Sequence, residues 1–265
     1  MTPLRVRLHR EYNRWYKWLL RWCWSIQGKD APRVYMFHSV VDTKEQVYSQ
    51  FAITKESFEQ FIVQLEEQGQ KAMDADMLLK AIDKPCKYAN HYCITFDDIY
   101  DTVYTNAYPV LKKYNIPFVI FVTDELVGKV DPWSKMPMIT KMHLREMLKD
   151  PLCILASHGT EHKMFRDYTH AEAVKVLVDS KRILAEKYGR EIELFAFPFG
   201  RRVEVSNDAI RCVKEAGYKC GFSALDGSLK QRWLSGRWFL PRVLVDETYC
   251  LKVIGYRLKV IGNRL

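Results

Sequence analysis

The stretch LASHGTEH places His158 and His162 four residues apart directly after an apolar run, and ITFDD places Asp97 and Asp98 side by side after another. Two imidazoles and a carboxylate suit a divalent transition ion that keeps positions open for water, whereas an all-oxygen set suits magnesium or calcium. The adjacent carboxylates allow a division of labour in which one binds metal and the other, pointed differently by the chain, handles protons. Taken singly these features have plainer explanations, since histidines at strand ends cap or stack and an Asp-Asp pair can cap a helix. Their joint occurrence, with His38, Pro198-Phe199-Gly200 and Arg242 at further strand ends, points to one convergent site.

The elements that would bring these residues together alternate along the chain. RVYMFHSV, HYCITFDD, IPFVIFV, LCILASH, IELFAFPFG, KCGFSA and LPRVLV have the composition of strands. Between them lie helical patterns: TKESFEQFIVQLEEQGQ, YTNAYPVLKKYN, KMHLREMLKD, HAEAVKVLVDSKRILAEKYG and SNDAIRCVKEAG. The first opens at Thr54 and Ser57, repeats apolar residues at Phe58, Phe61, Ile62 and Leu65, and stops at Gly69; the last has Ser206 as its N-cap and Gly217 as its end. Strand–helix alternation implies parallel pairing, an α/β fold, and ligands at the carboxyl ends of the strands.

With 265 residues and 48% hydrophobic content the chain is long enough for one large domain with a full core. Seven scattered cysteines, odd in number and without a CxxC pair, suit reduced thiols rather than a disulfide framework. The net charge of +9 is unevenly spread. Residues 1–29 carry Arg5, Arg7, Arg10, Arg14, Lys17, Arg21 and Lys29 against Glu11, residues 252–265 carry Lys252, Arg257, Lys259 and Arg264, and the stretch between is close to neutral. A neutral body with basic ends is not the footprint of a nucleic-acid groove, so no nucleic-acid partner is expected. In RVRLHREYNRWYKWLLRWCW the basic residues recur three and four apart and four of the seven tryptophans fall in the same stretch. That pattern predicts an amphipathic helix whose Trp15, Trp18, Trp22, Arg14, Lys17 and Arg21 suit an anionic membrane surface, with packing on the domain as the alternative. The C-terminal end repeats KVIGYRL as KVIGNRL, again basic and apolar. The organisation expected is therefore a basic Trp-rich helix at 1–29, one barrel domain at 30–251 and a basic tail at 252–265.

The motifs resemble those of the polysaccharide deacetylases, the NodB-homology group also called carbohydrate esterase family four. ITFDDIYDTVYTNAYPVLKKYNIPFVIFV is similar to the first family motif, TFDDG followed by a helix and a strand, and SHGTEH resembles the second. MFHSVVD with TKESFEQFIVQLEEQG resembles the N-terminal YH segment and first helix, and FAFPFG resembles the FAYPYG form of the third motif. The likeness runs from residue 33 to about 245. It implies a distorted (β/α) barrel and metal-dependent removal of an N- or O-acetyl group from a sugar. Carried over by residue, it implies that Asp98, His158 and His162 hold a divalent metal, zinc or another transition ion, and that Asp97 is the general base. It further implies an oxyanion donor in the backbone N–H near Phe199, after Pro198.

Three departures shape the remaining expectations. Ile99 stands where the family has glycine, so if that turn requires positive φ a β-branched residue is strained there. The arginine that many members carry before the proline of the third motif is missing from Phe195-Ala196-Phe197; Arg242 either supplies that charge from a neighbouring strand end or pairs with a surface carboxylate. No histidine follows His170, which removes the C-terminal leucine-x-leucine-histidine motif and leaves His38 as the general acid, as in members that keep a YH near their start. The absence of an eighteen-residue apolar run and of a secretory leader pattern predicts a cytoplasmic protein, peripheral on the inner membrane face. The expected substrate is an acetylated amino sugar in a lipid-linked saccharide, a membrane-linked precursor of capsule or O-antigen. The alternatives are a soluble or exported polysaccharide, or an inactive barrel that only binds sugar.

Overall fold

The computed structural model describes residues 31–47, 51–231 and 236–250. Its first half runs β1 (Arg33–Phe37), β2 (Ser39–Val41), β3 (Ala52–Thr54), α1 (Lys55–Glu67), β4 (Lys71–Ala72), α2 (Ala75–Asp83), β5 (His91–Phe96), α3 (Tyr108–Lys113) and β6 (Phe118–Val122). Then follow α4 (Lys141–Met147), β7 (Cys153–Ser157), α5 (His170–Tyr188), β8 (Leu194–Ala196), α6 (Asn207–Glu215), β9 (Cys220–Phe222) and β10 (Val243–Leu244). The expected basic helix at 1–29 and tail at 252–265 lie outside the described residues.

Local signals place the helices. Thr54 accepts a hydrogen bond from Ser57 N at the start of α1, whose Phe58, Phe61, Ile62 and Leu65 are buried, and Gly69 follows at φ 70°. A capping box of Thr169 and Glu172 opens α5, and Ser206 caps α6. Helix α2 is absent from the sequence-based expectation. Asp74 caps it through Met77 N at 2.8 Å, and it presents only Leu78, Ala81 and Ile82 as buried residues, too short a pattern to stand out.

The strands pair in parallel in the order β10-β1-β5-β6-β7-β8-β9, with β4 beside the start of β5. Successive residues face opposite sides. Tyr92, Ile94 and Phe96 of β5 and Phe118, Ile120 and Val122 of β6 join the helices in one core, while Cys93, Val119 and Phe121 join Ala156, Ala196, Cys220 and Phe222 in a second, interior cluster. Both faces being covered, the strands are continuous apolar runs in the sequence. Leu78, Ala81 and Ile82 of α2 belong to the interior cluster, and β4 leads into that helix beside the start of β5, so α2 lies at the amino-terminal end of the strands. Leu240 bridges to Phe222 on one edge and Val243 pairs with Tyr35 on the other, so the segment 240–244 spans the gap between β9 and β1. The result is a distorted (β/α) barrel whose strands end on one rim, where His38, Asp97, Asp98, His158 and Phe197 to Phe199 emerge.

Candidate active site

Asp97 continues β5, its N–H donating to Phe37 O at 3.0 Å, and the chain then turns sharply. Asp98 and Ile99 have φ of 61° and 47°, and Ile99 N donates to Asp97 O at 2.7 Å. The turn does require positive φ where the family has glycine. Ile99 is held there by its core-buried side chain and by Ile139 N, which donates to Ile99 O at 2.9 Å. The turn separates the two carboxylates: Asp97 points into the barrel and Asp98 toward the end of β7.

Asp97 meets Arg242 there. Nη1 and Nη2 each donate to one carboxylate oxygen at 2.6 Å, while Arg242 Nε donates to Ser223 O at 2.9 Å. Asp97 is 3% exposed and Arg242 1%, so the surface-carboxylate alternative for this arginine is excluded. Burial pushes the Asp97 carboxyl up, but Arg242, then His158 and His38, outweigh it and hold the group below the usual carboxylate range. The rings of Phe121 and Phe222 face the guanidinium at 5.3 and 6.0 Å.

Asp98 faces the histidine pair. Its Oδ1 lies 3.1 Å from His162 Nε2 and 3.5 Å from His158 Nε2, yet this buried oxygen makes no hydrogen bond of acceptable geometry. His158 Nδ1 lies 2.8 Å from Ala196 O, which fixes the proton on Nδ1 and leaves the Nε2 lone pair free. Burial lowers the His158 pKa, with the charges of Asp97 and Asp98 only partly offsetting it, so this ring is neutral. Burial acts the same way on His162, but the Asp98 charge and contact outweigh it and raise that pKa. A set of one carboxylate and two imidazoles within 4.8 Å of one another, with an orphaned oxygen and a fixed tautomer, fits a divalent transition ion.

The third motif lines the opposite wall. Phe199 and Gly200 have φ of 61° and 65°, and a Cβ on Gly200 would lie 2.7 Å from Ala224 N, so only glycine fits. Phe199 packs on His162 at 4.5 Å between centroids, and Pro198 O accepts from Gly200 N at 2.7 Å. His38 is half-buried beside Phe51, with a covered Nδ1 that has no hydrogen-bond partner among the described residues; burial lowers its pKa against the pull of Asp97 and Asp98. The sequence-based reading left out Trp133, on the loop between β6 and α4, whose ring lies 5.4 Å from that of His162. Its only signal was an aromatic residue in a Pro- and Ser-containing loop.

A model of the polysaccharide deacetylase family matches residues 84–221, just over half of the chain. The chain belongs to that family. Enzymes of the family are metal-dependent amide hydrolases that deacetylate carbohydrates, and this chain is one of its deacetylases. It is 27% identical over 222 residues to a poly-beta-1,6-N-acetyl-D-glucosamine N-deacetylase of Staphylococcus aureus, covering 81% of this chain and 73% of that one. The Staphylococcus epidermidis protein of the same description is 26% identical over 206 residues, covering 74% and 69%. Among solved structures the fold is shared with IcaB from Ammonifex degensii, at a TM-score of 0.72 and 22% identity, covering 86% of this chain and 97% of that one. It is shared also with Streptococcus pyogenes deacetylase PplD in complex with acetate, at 0.69 and 19%, covering 84% and 97%.

Proposed function

We propose that this deacetylase removes N-acetyl groups from an N-acetylglucosamine polymer, with a divalent transition metal held by Asp98, His158 and His162. The observation that carries the reading is the convergence of those three ligand atoms beside a carboxylate, Asp97, that Arg242 keeps ionised. The polymer is suggested by the substrate after which the staphylococcal relatives are named. Zinc suits the mixed nitrogen and oxygen ligands. Bound by Asp98, His158 and His162, such an ion would supply Lewis acidity to the acyl carbonyl and to the attacking water.

The chain's own residues do the rest. Asp97 has both oxygens engaged by Arg242, but each keeps a further lone pair with which to take the water's proton. Arg242 fixes that carboxylate in place and in charge. His38 starts neutral, takes up the proton that Asp97 has drawn from the water, and as imidazolium delivers it to the departing nitrogen, since an amide nitrogen leaves poorly as an anion. Asp97 and His38 are thereby left as they began. The backbone N–H of Phe199, which donates no hydrogen bond among the described residues, is the donor assigned to the developing oxyanion. The basic, Trp-rich residues 1–29 support a further element of the proposal: the enzyme meets its substrate as a membrane-linked saccharide at the inner, cytoplasmic face.

The test is release of acetate and free amine in equal amounts from poly-β-1,6-N-acetylglucosamine. Asp97→Asn should retain bound metal while turnover falls by roughly two orders of magnitude or more, and His38→Ala should lose turnover without losing metal. No acetate from any acetylated amino sugar, or full activity in Asp97→Asn, would show the reading to be wrong.

A further inference from the structure

Trp133 is 64% exposed, an unusual position for the largest apolar side chain, yet its loop is firmly built. Asp131, buried behind it, accepts from Tyr100 Oη at 2.9 Å, from Ser134 N at 2.8 Å, from Trp133 N at 3.3 Å and from the Ser134 hydroxyl. Tyr100 follows directly on the Asp98-Ile99 turn. Backbone bonds repeat the connection: Asp101 N donates to Pro137 O at 3.0 Å, and Asp131 N to Met136 O at 2.9 Å. The segment that carries Asp98 therefore also pins the loop that carries Trp133. The indole stands edge-to-face with His162 at 5.4 Å and with Phe199 at 6.3 Å, so its place relative to the ligand cluster is set while most of its surface stays open.

A rigid, exposed indole at the mouth of a site suits a ligand with an apolar face and a polar rim. A pyranose ring has that form, with C–H bonds on its face and hydroxyls at its edge, and C–H groups favour the electron-rich face of an aromatic ring. We propose that Trp133 is the wall of a saccharide subsite that stacks on the sugar next to the one being deacetylated. This rests on the deacetylase reading above. The position follows from the order of groups: the scissile acyl group must reach Asp98, His158 and His162, whereas Trp133 supplies no ligand atom and stands beside that cluster through its ring contacts with His162 and Phe199, so a ring stacked on the indole is the neighbour along the chain. Trp133 is thus a specificity-determining residue that favours polymer over monomer, and Asp131 with Tyr100 positions it.

The experiment compares Trp133→Ala, Trp133→Phe and wild-type holoenzyme on a β-1,6-linked N-acetylglucosamine tetramer and on 4-nitrophenyl acetate, a probe with no neighbouring sugar to stack. Trp133→Ala should raise KM for the tetramer about tenfold, as truncation of an aromatic contact commonly does, with kcat within about twofold. Hydrolysis of the aryl acetate should be unchanged, and Trp133→Phe should recover most of the loss. An unchanged tetramer KM, an equal loss on both substrates, or Trp133→Phe no better than Trp133→Ala would overturn the assignment. Calorimetric titration of the tetramer into Asp97→Asn protein, with and without Trp133→Ala, separates the two readings. Wild-type protein that releases no acetate defeats the proposed reaction, whereas tetramer binding that is absent or indifferent to Trp133 defeats the subsite.

Discussion

Arg242 holds Asp97 at two points, 2.6 Å at each oxygen, with both residues closed off from solvent. Residues 145 positions apart in the chain thereby share one charge pair at the base of the site.

Breaking that pair should reverse the pH dependence of stability. In the intact protein the Asp97 carboxyl lies below its ordinary value, so its contribution is present above the unfolded pKa and is lost as pH falls through the folded one. In Arg242→Met the largest opposing charge is gone, and burial, set against His158 and His38 alone, raises that pKa above the unfolded value; stability is then retained at acid pH and lost as pH rises. Near neutrality an unpaired buried carboxylate costs about 3–5 kcal/mol. Urea unfolding across the acid-to-neutral range should show opposite slopes for the two proteins, and Asp97→Asn combined with Arg242→Met should recover most of the stability without activity. Parallel slopes would mean that Arg242 does not govern the charge of Asp97.

Metal binding should displace a proton. Asp98 raises the His162 pKa, so near neutrality a fraction of His162 Nε2 carries a proton beside Asp98 Oδ1, and a cation among the three ligands takes its place. Zinc titrated into the metal-free protein in buffers of different ionisation enthalpy should therefore report proton release that grows as pH is lowered toward the mildly acid range. His158→Ala should leave that site without zinc while the described core stays folded. Zinc retained in His158→Ala, or binding with no proton release at any pH, would remove these residues as ligands.

Most of this framework is legible in the amino-acid sequence, because strands covered on both faces leave continuous apolar runs and the polar residues that interrupt them mark the rim. Asp97, Asp98, His158 and His162 stand out for that reason. Arg242 is visible there too, with two partners open to it; the choice between them depends on the segment 240–244 closing the barrel, a contact between distant parts of the chain that no local pattern encodes. Helix α2 escapes because three buried residues in nine make a weak periodicity. Trp133 escapes because an exposed aromatic residue in a loop has meaning only once its distance from His162 is known.

The basic N-terminal segment carries its own prediction, outside the described residues. Each Lys or Arg near an anionic leaflet contributes on the order of 1 kcal/mol, and seven such residues stand against one acid in residues 1–29. Full-length protein should co-sediment with vesicles containing phosphatidylserine at low salt, less so at high salt, and weakly with neutral phosphatidylcholine vesicles. Deleting residues 1–27 should abolish the binding and leave activity on a soluble acetylated oligosaccharide. Full-length protein that ignores anionic vesicles, or a truncated one that no longer folds, would assign the segment to packing.

Ile99 offers a test in which two effects oppose each other. At φ 47° a β-branched residue is strained by the order of 1–3 kcal/mol, but its side chain is 1% exposed in the main core, and removing a buried isoleucine costs about 2–5 kcal/mol. Burial outweighs strain, so both Ile99→Ala and Ile99→Gly should destabilise. Their order is the informative part. At an ordinary position glycine is worse than alanine by roughly 0.5–1 kcal/mol, whereas here alanine keeps a Cβ in the left-handed region and glycine does not. Ile99→Gly should therefore unfold at a urea concentration equal to or above that of Ile99→Ala. Glycine the less stable by the ordinary margin would show that the turn beside Asp98 stores no strain.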